Sequence, residues 1–325
     1  MMTPWGKEVT ATNVLQEYPR PQMVRSNWLN LNGLWDLRIT RLHHTNAVVF
    51  KGEILVPFPV ESVLSRVTKV FIPQEKMWYQ RQFKIPADWR GQHVLLHFEA
   101  VDWETTVWVN GRKMGIHRGG YDRFSFDITD ALKPAGEQTL TVSVTDPTET
   151  GFQPVGKQML DPHPLFFSAS SGIWQTVWLE PVPATYIKSL KLVPDIDKGV
   201  LQVTALVGGT ETDGWSVEAM ELDGQTEAAE TRGPVDKAFD LPVRHAKLWS
   251  PDHPFLYGLK VALQHNGHPA DMVSSYFGMR KISIAKDSNG YPRLMLNNHR
   301  LFELGVLDQG YWPDGSATQR RATPP

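Results

Sequence analysis

Acidic side chains are the first candidates for chemistry in this chain of 325 residues. Two convergent carboxyl groups can act as general acid and general base, or as acid and nucleophile. Asp102 and Glu104 are two residues apart, so in a regular strand their side chains point to the same face. Asp161, Glu303 and Asp308 are further candidates. The alternative for each acid is a turn position or a solvated strand edge.

Aromatic residues near acids and amides indicate a second kind of chemistry, the recognition of a sugar. An aromatic ring can lie under the apolar face of a sugar, while a few placed polar groups bind its hydroxyls. The candidates for carbohydrate binding are Trp103, Tyr121, Asp122, Gln309, Tyr311 and Trp312, with Asp102, Asp161 and Asp308 as further hydroxyl partners. Packing in a core is the alternative for a single tryptophan, since the chain has 12 of them.

The sequence shows no convincing set of metal ligands and no catalytic nucleophile. His93, His97 and Glu99 would share one face of a strand. A zinc site, however, needs three or four convergent ligands, and a polar outer sheet face is the alternative. The segment "SASSG" at 168–172 lacks the spacing of a nucleophile elbow, and the chain has no cysteine. We therefore expect no metal and no cofactor.

Charge and hydropathy restrict the partners. The net charge of −2 does not indicate a nucleic-acid partner. No run approaches the 18 apolar residues of a membrane-spanning helix, so we expect no membrane partner. The N-terminal stretch "MMTPWGKEVTATNVLQEYPRPQ" lacks the basic segment and apolar core of a signal peptide. These features together predict a cytoplasmic protein.

Hydrophobic residues alternate with polar ones along most of the chain. In "TLTVSVTD", Leu140, Val142 and Val144 point one way and the polar residues the other. Asn110-Gly111, a dipeptide typical of tight hairpins, joins two strand-like runs. Many short strands with frequent turns predict an all-β chain built from sandwiches. We expect a first sandwich over residues 1–183, a second over 184–285, and a separate segment over 286–325.

Several stretches resemble glycoside hydrolase family 2, the family of the β-galactosidases and β-glucuronidases. They are "LNGLWDLRI" (31–39), "VPFPVESVLS" (56–65), the long segment 78–132, "LWSPDHPFLYGLKV" (248–261), "FGMRKISI" (277–284) and "LFELGVLDQGYWPDG" (301–315). The resemblance implies a galactose-binding-like jelly roll, then an immunoglobulin-like sandwich, then the first strand and loop of a (β/α)8 barrel. It also places Gln309 where many members of the family have a histidine near the sugar.

The resemblance sets an expectation about catalysis, because the family's two catalytic glutamates lie late in the barrel. A barrel needs about 250 residues, and 25 residues follow Arg300. We therefore expect the glutamate pair to be absent from this chain. The segments "DPHPLFFSAS" (161–170) and "SATQRRATPP" (316–325) also depart from the family's pattern.

Two functions follow from this resemblance. The first is a protein of β-glycosidase descent that recognises a β-glycoside or assembles with a partner. The alternative is a compact glycosidase with new acidic residues on the sandwiches or at an oligomer interface. Apolar surfaces that relatives cover with the barrel would be exposed here, and large apolar patches mark association sites. We therefore expect a homo-oligomer or a complex with a separate barrel-bearing chain.

Overall fold

A computed structural model describes residues 2–43, 49–209, 213–307, 309–310 and 314–315. The described residues divide into two compact units. The first comprises Met1–Pro19, Asn27–Pro181 and Gln309–Pro325, and the second comprises Arg20–Ser26 and Val182–Asp308. In the described part of the chain, no helix is both long and apolar enough to cross a membrane.

The first unit is a jelly roll whose main sheets have six and four strands. Its strands are β1 (Leu29–Asn30), β2 (Gly33–Arg41), β3 (Gly52–Val56), β4 (Glu75–Phe83), β5 (His93–Phe98), β6 (Val101–Asp102), β7 (Glu104–Val109), β8 (Arg112–Arg118), β9 (Phe124–Asp127), β10 (Gln138–Thr145), β11 (Gln158–Met159), β12 (Phe167–Ser168), β13 (Gly172–Ile173) and β14 (Val177–Val182). Short 3₁₀ turns cover Gly6–Glu8, Ala87–Trp89 and Thr129–Ala131. The six-stranded order is β3-β2-β4-β10-β7-β8, the four-stranded order is β1-β14-β5-β9, and β11-β12 and β13-β6 form two small pairs.

The core of the first unit follows from the two-residue alternation. Leu140, Val142 and Val144 of β10 are fully buried, whereas the residues between them form the other face of the sheet. Trp35 and Tyr79 meet edge to face in this core, with ring centroids 6.4 Å apart. Burying one such large side chain contributes about 1.5–3 kcal/mol. The core therefore fixes the sheet against which the site loops are built.

The predicted hairpin at Asn110-Gly111 connects β7 to β8. Asn110 and Gly111 have φ angles of +50° and +81°, as a tight hairpin with two left-handed residues requires. The Asn110 side chain donates to the carbonyl of Ala131 at 2.8 Å and accepts from the amide of Thr139 at 2.9 Å. These contacts hold the hairpin to the neighbouring strands.

The second unit is an immunoglobulin-like sandwich with an additional small sheet. Its strands are β15 (Tyr186–Asp195), β16 (Val200–Gly208), β17 (Trp215–Asp223), β18 (Thr226–Pro234), β19 (Phe239–Pro242), β20 (Tyr257–His265), β21 (His268–Phe277), β22 (Ile282–Lys286), β23 (Pro292–Leu296) and β24 (His299–Arg300). The sandwich pairs the sheet β15-β16-β19 with the sheet β18-β17-β20-β21, and β22-β23-β24 forms the third sheet. The prediction of an all-β chain with a jelly roll and an immunoglobulin-like sandwich is confirmed.

A segment from near the N-terminus completes the second unit. Val24 bridges to Ser274, with two backbone hydrogen bonds of 2.8 and 2.9 Å. The buried Arg25 guanidinium forms a bidentate pair with Asp271 at 2.7 and 3.1 Å, and it donates to the carbonyl of Ile187 at 2.8 Å. Removing either partner would leave a buried charge unpaired, which is costly.

Residues 301–307 form no strand in the described chain, so the structure does not confirm the predicted barrel strand. Leu304 and Val306 are 91% and 92% exposed, and all seven residues lie outside every strand of the described chain. The backbone of Leu301 donates to the carbonyl of Leu294 at 3.2 Å, at the edge of the third sheet. Alternating hydrophobicity alone does not make a strand, because a strand also needs a neighbour for its hydrogen bonds.

Gly172 allows a direct test of packing in the first unit. It has φ +90°, and a Cβ there would lie 2.1 Å from the Tyr79 hydroxyl. We expect Gly172→Ala to lower the free energy of unfolding by about 3 kcal/mol or more, since it adds a clash to the strain of a left-handed residue. Urea denaturation measures this loss.

Gly136→Ala is the matched control. Gly136 has φ +84°, but a Cβ there meets nothing within 4 Å. The free energy of unfolding of this control should fall by only about 1 kcal/mol, the cost of placing an alanine in the left-handed conformation. Equal losses in the two variants would contradict the packing argument.

Candidate carbohydrate-binding site

A buried acid and an exposed tyrosine are joined by one glutamine in the first unit. Asp102 ends β6, pairs with Gly172 of β13, and is only 4% exposed. Gln158 Nε2 donates to Asp102 Oδ2 at 3.2 Å and to the Tyr121 hydroxyl at 3.0 Å. The Gln158 carbonyl accepts from the amide of Ser170 at 2.6 Å. Gln158 therefore connects the interior to the surface.

Two more carboxyl groups are buried beside the same segment. The Ser171 hydroxyl donates to Asp146 Oδ2 at 2.6 Å, and the amide of Thr148 donates to Asp146 Oδ1 at 2.7 Å. The amide of Ser171 donates to Glu61 Oε2 at 2.9 Å. Glu61 Oε1 is buried without a hydrogen-bond partner. Asp102, Asp146 and Glu61 thus form a cluster, which we call the buried acid cluster.

Burial raises the pKa of each acid in this cluster, because the charged form loses its hydration. It raises the pKa of Glu61 to about 8, against hydrogen bonds from Ser171 that favour the charged form. Burial, with the nearby charge of Asp146, raises the pKa of Asp102 to about 7, against the hydrogen bond from Gln158. Burial also raises the pKa of Asp146. The cluster therefore retains protons at pH values where exposed carboxyl groups have lost theirs.

Tyr121 presents an aromatic face above the cluster. It is 53% exposed, and its ring meets that of Trp174 edge to face at 6.0 Å. Trp174 Nε1 donates to the carbonyl of Gly120 at 2.7 Å. A Cβ on Gly120 would lie 2.5 Å from Asp102 Oδ1, so glycine is required for this close approach. The loop that carries Tyr121 is therefore held from both sides.

Gln309 lies in the same unit as Tyr121. Its side-chain carbonyl accepts from Lys157 Nζ at 2.8 Å. Lys157 precedes Gln158, and its backbone carbonyl accepts from the amide of Phe167 at 2.8 Å. Lys157, the partner of Gln309, is thus the sequence neighbour of Gln158, which binds both Asp102 and Tyr121.

Among the described residues, the other predicted carbohydrate-binding side chains form no hydrogen bond to this connection. Trp103 is half-buried, and Asp122 is exposed in the loop after Tyr121. Asp161 is exposed in the loop between β11 and β12. Asp308, Tyr311 and Trp312 lie outside the described residues.

The predicted acid pair does not converge. Asp102 and Glu104 do not share a strand face, because the chain changes strand between them and Asp102 turns into the interior. Glu104 instead pairs with the exposed Arg118 at 2.7 Å. Glu303 is exposed and belongs to the second unit.

The histidines of β5 have partners of their own. His93 Nδ1 lies 2.7 Å from Asp127, and His97 Nε2 lies 3.0 Å from the buried Glu180. Glu99 accepts from Trp178 Nε1 at 2.9 Å. Across the part of the chain that the structure describes, no group of three or more His, Cys, Asp or Glu residues is arranged to hold a metal ion.

Sequence patterns did not identify Glu61, Asp146, Gln158 or Trp174. Their partners are distant in sequence: Glu61 and Ser171, for example, are 110 residues apart. The available signal was indirect, since Glu61 lies in a stretch that resembles the family, whereas Ser171 follows a stretch that departs from it. Polar residues within such apolar stretches are candidates for a buried network.

Fold and site together define an all-β protein with a jelly roll that carries an aromatic surface, followed by an immunoglobulin-like sandwich. The model for the sugar binding domain of glycosyl hydrolases family 2 matches residues 53–183. A further model of glycosyl hydrolases family 2 matches residues 185–280. The two consecutive matches cover well over half of the chain, which belongs to glycosyl hydrolase family 2.

Relatives with curated names are β-galactosidases and β-glucuronidases. A β-galactosidase of Thermoanaerobacter pseudethanolicus is 28% identical, over 69% of this chain and 32% of the relative. A β-glucuronidase of Paenibacillus borealis is 25% identical, over 77% of this chain and 43% of the relative. The chain thus spans between a third and a half of the length of these relatives.

Solved structures confirm the fold. The crystal structure of Ruminococcus gnavus β-glucuronidase superposes with a TM-score of 0.72 and 20% identity, over 89% of this chain and 51% of that one. A β-D-glucuronidase of Dictyoglomus thermophilum gives a TM-score of 0.67 and 21% identity, over 89% and 49% of the two chains. At this identity the likeness concerns the fold alone.

The buried acid cluster makes the stability of the first unit depend on pH. The folded-state pKa values of Asp102 and Glu61, about 7 and about 8, lie above their ordinary values of 3.8 and 4.5. The stability contributed by their neutral forms is complete below about pH 4 and is lost as pH rises through the folded-state values. Between its ordinary and its folded-state pKa, each group lowers the free energy of unfolding by about 1.4 kcal/mol for every unit by which the pH rises.

Urea denaturation at pH 5 and pH 8 tests this dependence. Asp102→Asn keeps a neutral side chain at both values. The variant therefore avoids the loss of unfolding free energy that the unsubstituted protein suffers at Asp102. Its free energy of unfolding relative to that protein should rise by about 2–3 kcal/mol from pH 5 to pH 8. Asp122→Asn removes an exposed acid of the same unit, so it should hardly change how the free energy of unfolding differs between pH 5 and pH 8. If Asp102→Asn behaved like this control, the cluster would not hold protons as described.

Proposed function

We propose that this chain is the carbohydrate-recognition part of a family 2 glycoside hydrolase system and that it binds a β-glycoside at the Tyr121 surface. The observation that carries the proposal is the exposed Tyr121 ring, fixed by Trp174 and Gln158. A rigid aromatic face beside an amide group suits a sugar, whose ring has an apolar face and a polar rim.

Lys157 favours an acidic sugar over a neutral one. Its ammonium group binds the uncharged Gln309 carbonyl, and among the described residues it has no acidic partner. Its positive charge is therefore available to a ligand carboxylate. Relatives include proteins named β-glucuronidase and β-galactosidase. We propose a β-glucuronide as the preferred ligand of the Tyr121 surface.

Bond cleavage is assigned to a catalytic barrel outside this chain. The described acids support this assignment, since Asp102 is enclosed and Glu104 is held by Arg118. Retaining hydrolysis needs two carboxyl groups about 5 Å apart on either side of the glycosidic bond. The alternative, a compact glycosidase with its own acid pair, predicts turnover by the purified chain.

Titration of the full chain with methyl β-D-glucuronide tests the proposed recognition. Tyr121→Ala should weaken binding about tenfold, because it removes the ring face. Lys157→Gln should remove any preference over methyl β-D-galactoside. NMR titration measures both effects.

Tyr291→Ala is the matched control, because Tyr291 is an exposed tyrosine of the second unit. Binding that Tyr121→Ala leaves unchanged would contradict the proposal. Hydrolysis of nitrophenyl β-glucuronide that Asp102→Asn abolishes would establish the alternative.

Exposed apolar side chains support assembly with a partner. Phe152 and Leu165 protrude from the first unit, and Phe302, Leu304 and Val306 are exposed in the second. We propose that a second copy or a separate barrel-bearing chain covers the 302–306 residues. Leu304→Glu combined with Val306→Glu should lower self-association in analytical ultracentrifugation. A monodisperse monomer at micromolar concentration before substitution would contradict homo-oligomer formation.

A further inference from the structure

The second unit contains a groove that the proposed function does not use. Its volume is about 480 Å³, within the range of small-ligand sites. Its lining combines aliphatic, aromatic and polar side chains, chiefly Leu190, Leu192, Trp249, Tyr276, Arg280 and Gln22. We call it the Trp249 groove.

The strands of the sandwich build the groove walls. Leu190 and Leu192 lie on β15, with half-buried side chains packed against the core. Tyr276 lies near the end of β21, on the other wall. The Ser275 hydroxyl donates to the carbonyl of Gln22 at 2.7 Å and fixes the segment that carries the Gln22 amide. The groove thus belongs to the sandwich framework.

Trp249 is held by its backbone and by a glycine. Its amide donates to the carbonyl of Met279 at 2.9 Å, and its carbonyl accepts from Asn297 Nδ2 at 3.0 Å. A Cβ on Gly278 would lie 3.3 Å from both the Trp249 Cβ and a Leu256 methyl carbon. The missing side chain lets Trp249 approach this backbone closely, so the indole has a fixed position.

Arg280 supplies a positive charge at the groove that no carboxylate of the described residues neutralises. Its guanidinium carbon lies 4.9 Å from the Trp249 ring centroid. Within the described ranges Arg280 forms no ion pair, whereas the next residue, Lys281, pairs with Asp197 at 2.5 Å. Stacking on an indole orients a guanidinium and leaves its N–H donors free to bind a planar carboxylate.

From this combination we infer that the Trp249 groove binds an acidic oligosaccharide containing a uronic acid. Arg280 binds the carboxylate, Trp249 and Tyr276 contact the sugar ring, and the Gln22 amide bonds a hydroxyl. A purely apolar occupant fits less well, because it would desolvate the Arg280 donors without replacing their hydrogen bonds. The inference does not depend on the Tyr121 surface, since the two sites share no residue.

Calorimetric titration of the full chain with hyaluronan tetrasaccharide and with trigalacturonate tests the inference, with cellotetraose as the neutral probe. At least one acidic probe should bind more tightly than cellotetraose. Arg280→Gln should weaken that binding about two- to fivefold, the loss expected for a partly solvated charge pair. Tyr276→Ala, at an exposed position, should weaken it without unfolding the chain.

Two controls separate this site from others. Arg244→Gln removes an exposed positive charge of the same unit outside the groove and should leave binding unchanged. Tyr121→Ala should also leave it unchanged, so failure of the Tyr121 proposal would not affect this result. Absence of binding by both acidic probes would overturn the inference. Equal loss with Arg280→Gln and Arg244→Gln would also overturn it, because that pattern indicates non-specific charge attraction.

Discussion

The hydrogen bonds of Ser171 hold together the part of the first unit on which the candidate site depends. Its amide binds Glu61, its hydroxyl binds Asp146, and its carbonyl accepts from the amide of Val60 at 3.2 Å. Every polar group of this fully buried residue is therefore satisfied, as burial requires. The two acids lose their hydration when they are buried with these bonds. They reduce this desolvation cost by retaining protons, because a neutral carboxyl group loses less hydration energy than a charged one.

The exposed surface follows from this interior. Because the segment around Ser171 is fixed, the next residue, Gly172, pairs with Asp102 and determines where that carboxylate lies. Asp102 and Ser170 in turn orient Gln158, whose amide reaches the Tyr121 hydroxyl. The Tyr121 ring therefore has a defined position although half of its surface is exposed. Preorganisation of this kind lowers the entropy cost of binding.

Local patterns predicted much of the fold and little of the site. The alternation around Leu140 and the Asn110-Gly111 turn are local signals, and the structure follows both. The cluster of Glu61, Asp146 and Asp102 depends instead on contacts between segments that are far apart in the sequence, which no local period encodes. The 301–307 segment shows the opposite case, since its apolar residues predicted a strand that has no pairing partner in the described chain.

Each unit contains a cation that no acidic group of the described residues neutralises. In the first unit Lys157 binds the uncharged side-chain carbonyl of Gln309, and the next residue, Gln158, binds the Tyr121 hydroxyl. In the second unit Arg280 lies over the Trp249 ring. Elsewhere cations are commonly neutralised, as Arg25 is by Asp271 and Arg293 by Asp287. A net charge of −2 supplies no general attraction for anions, so any preference for acidic glycans must arise at such local sites.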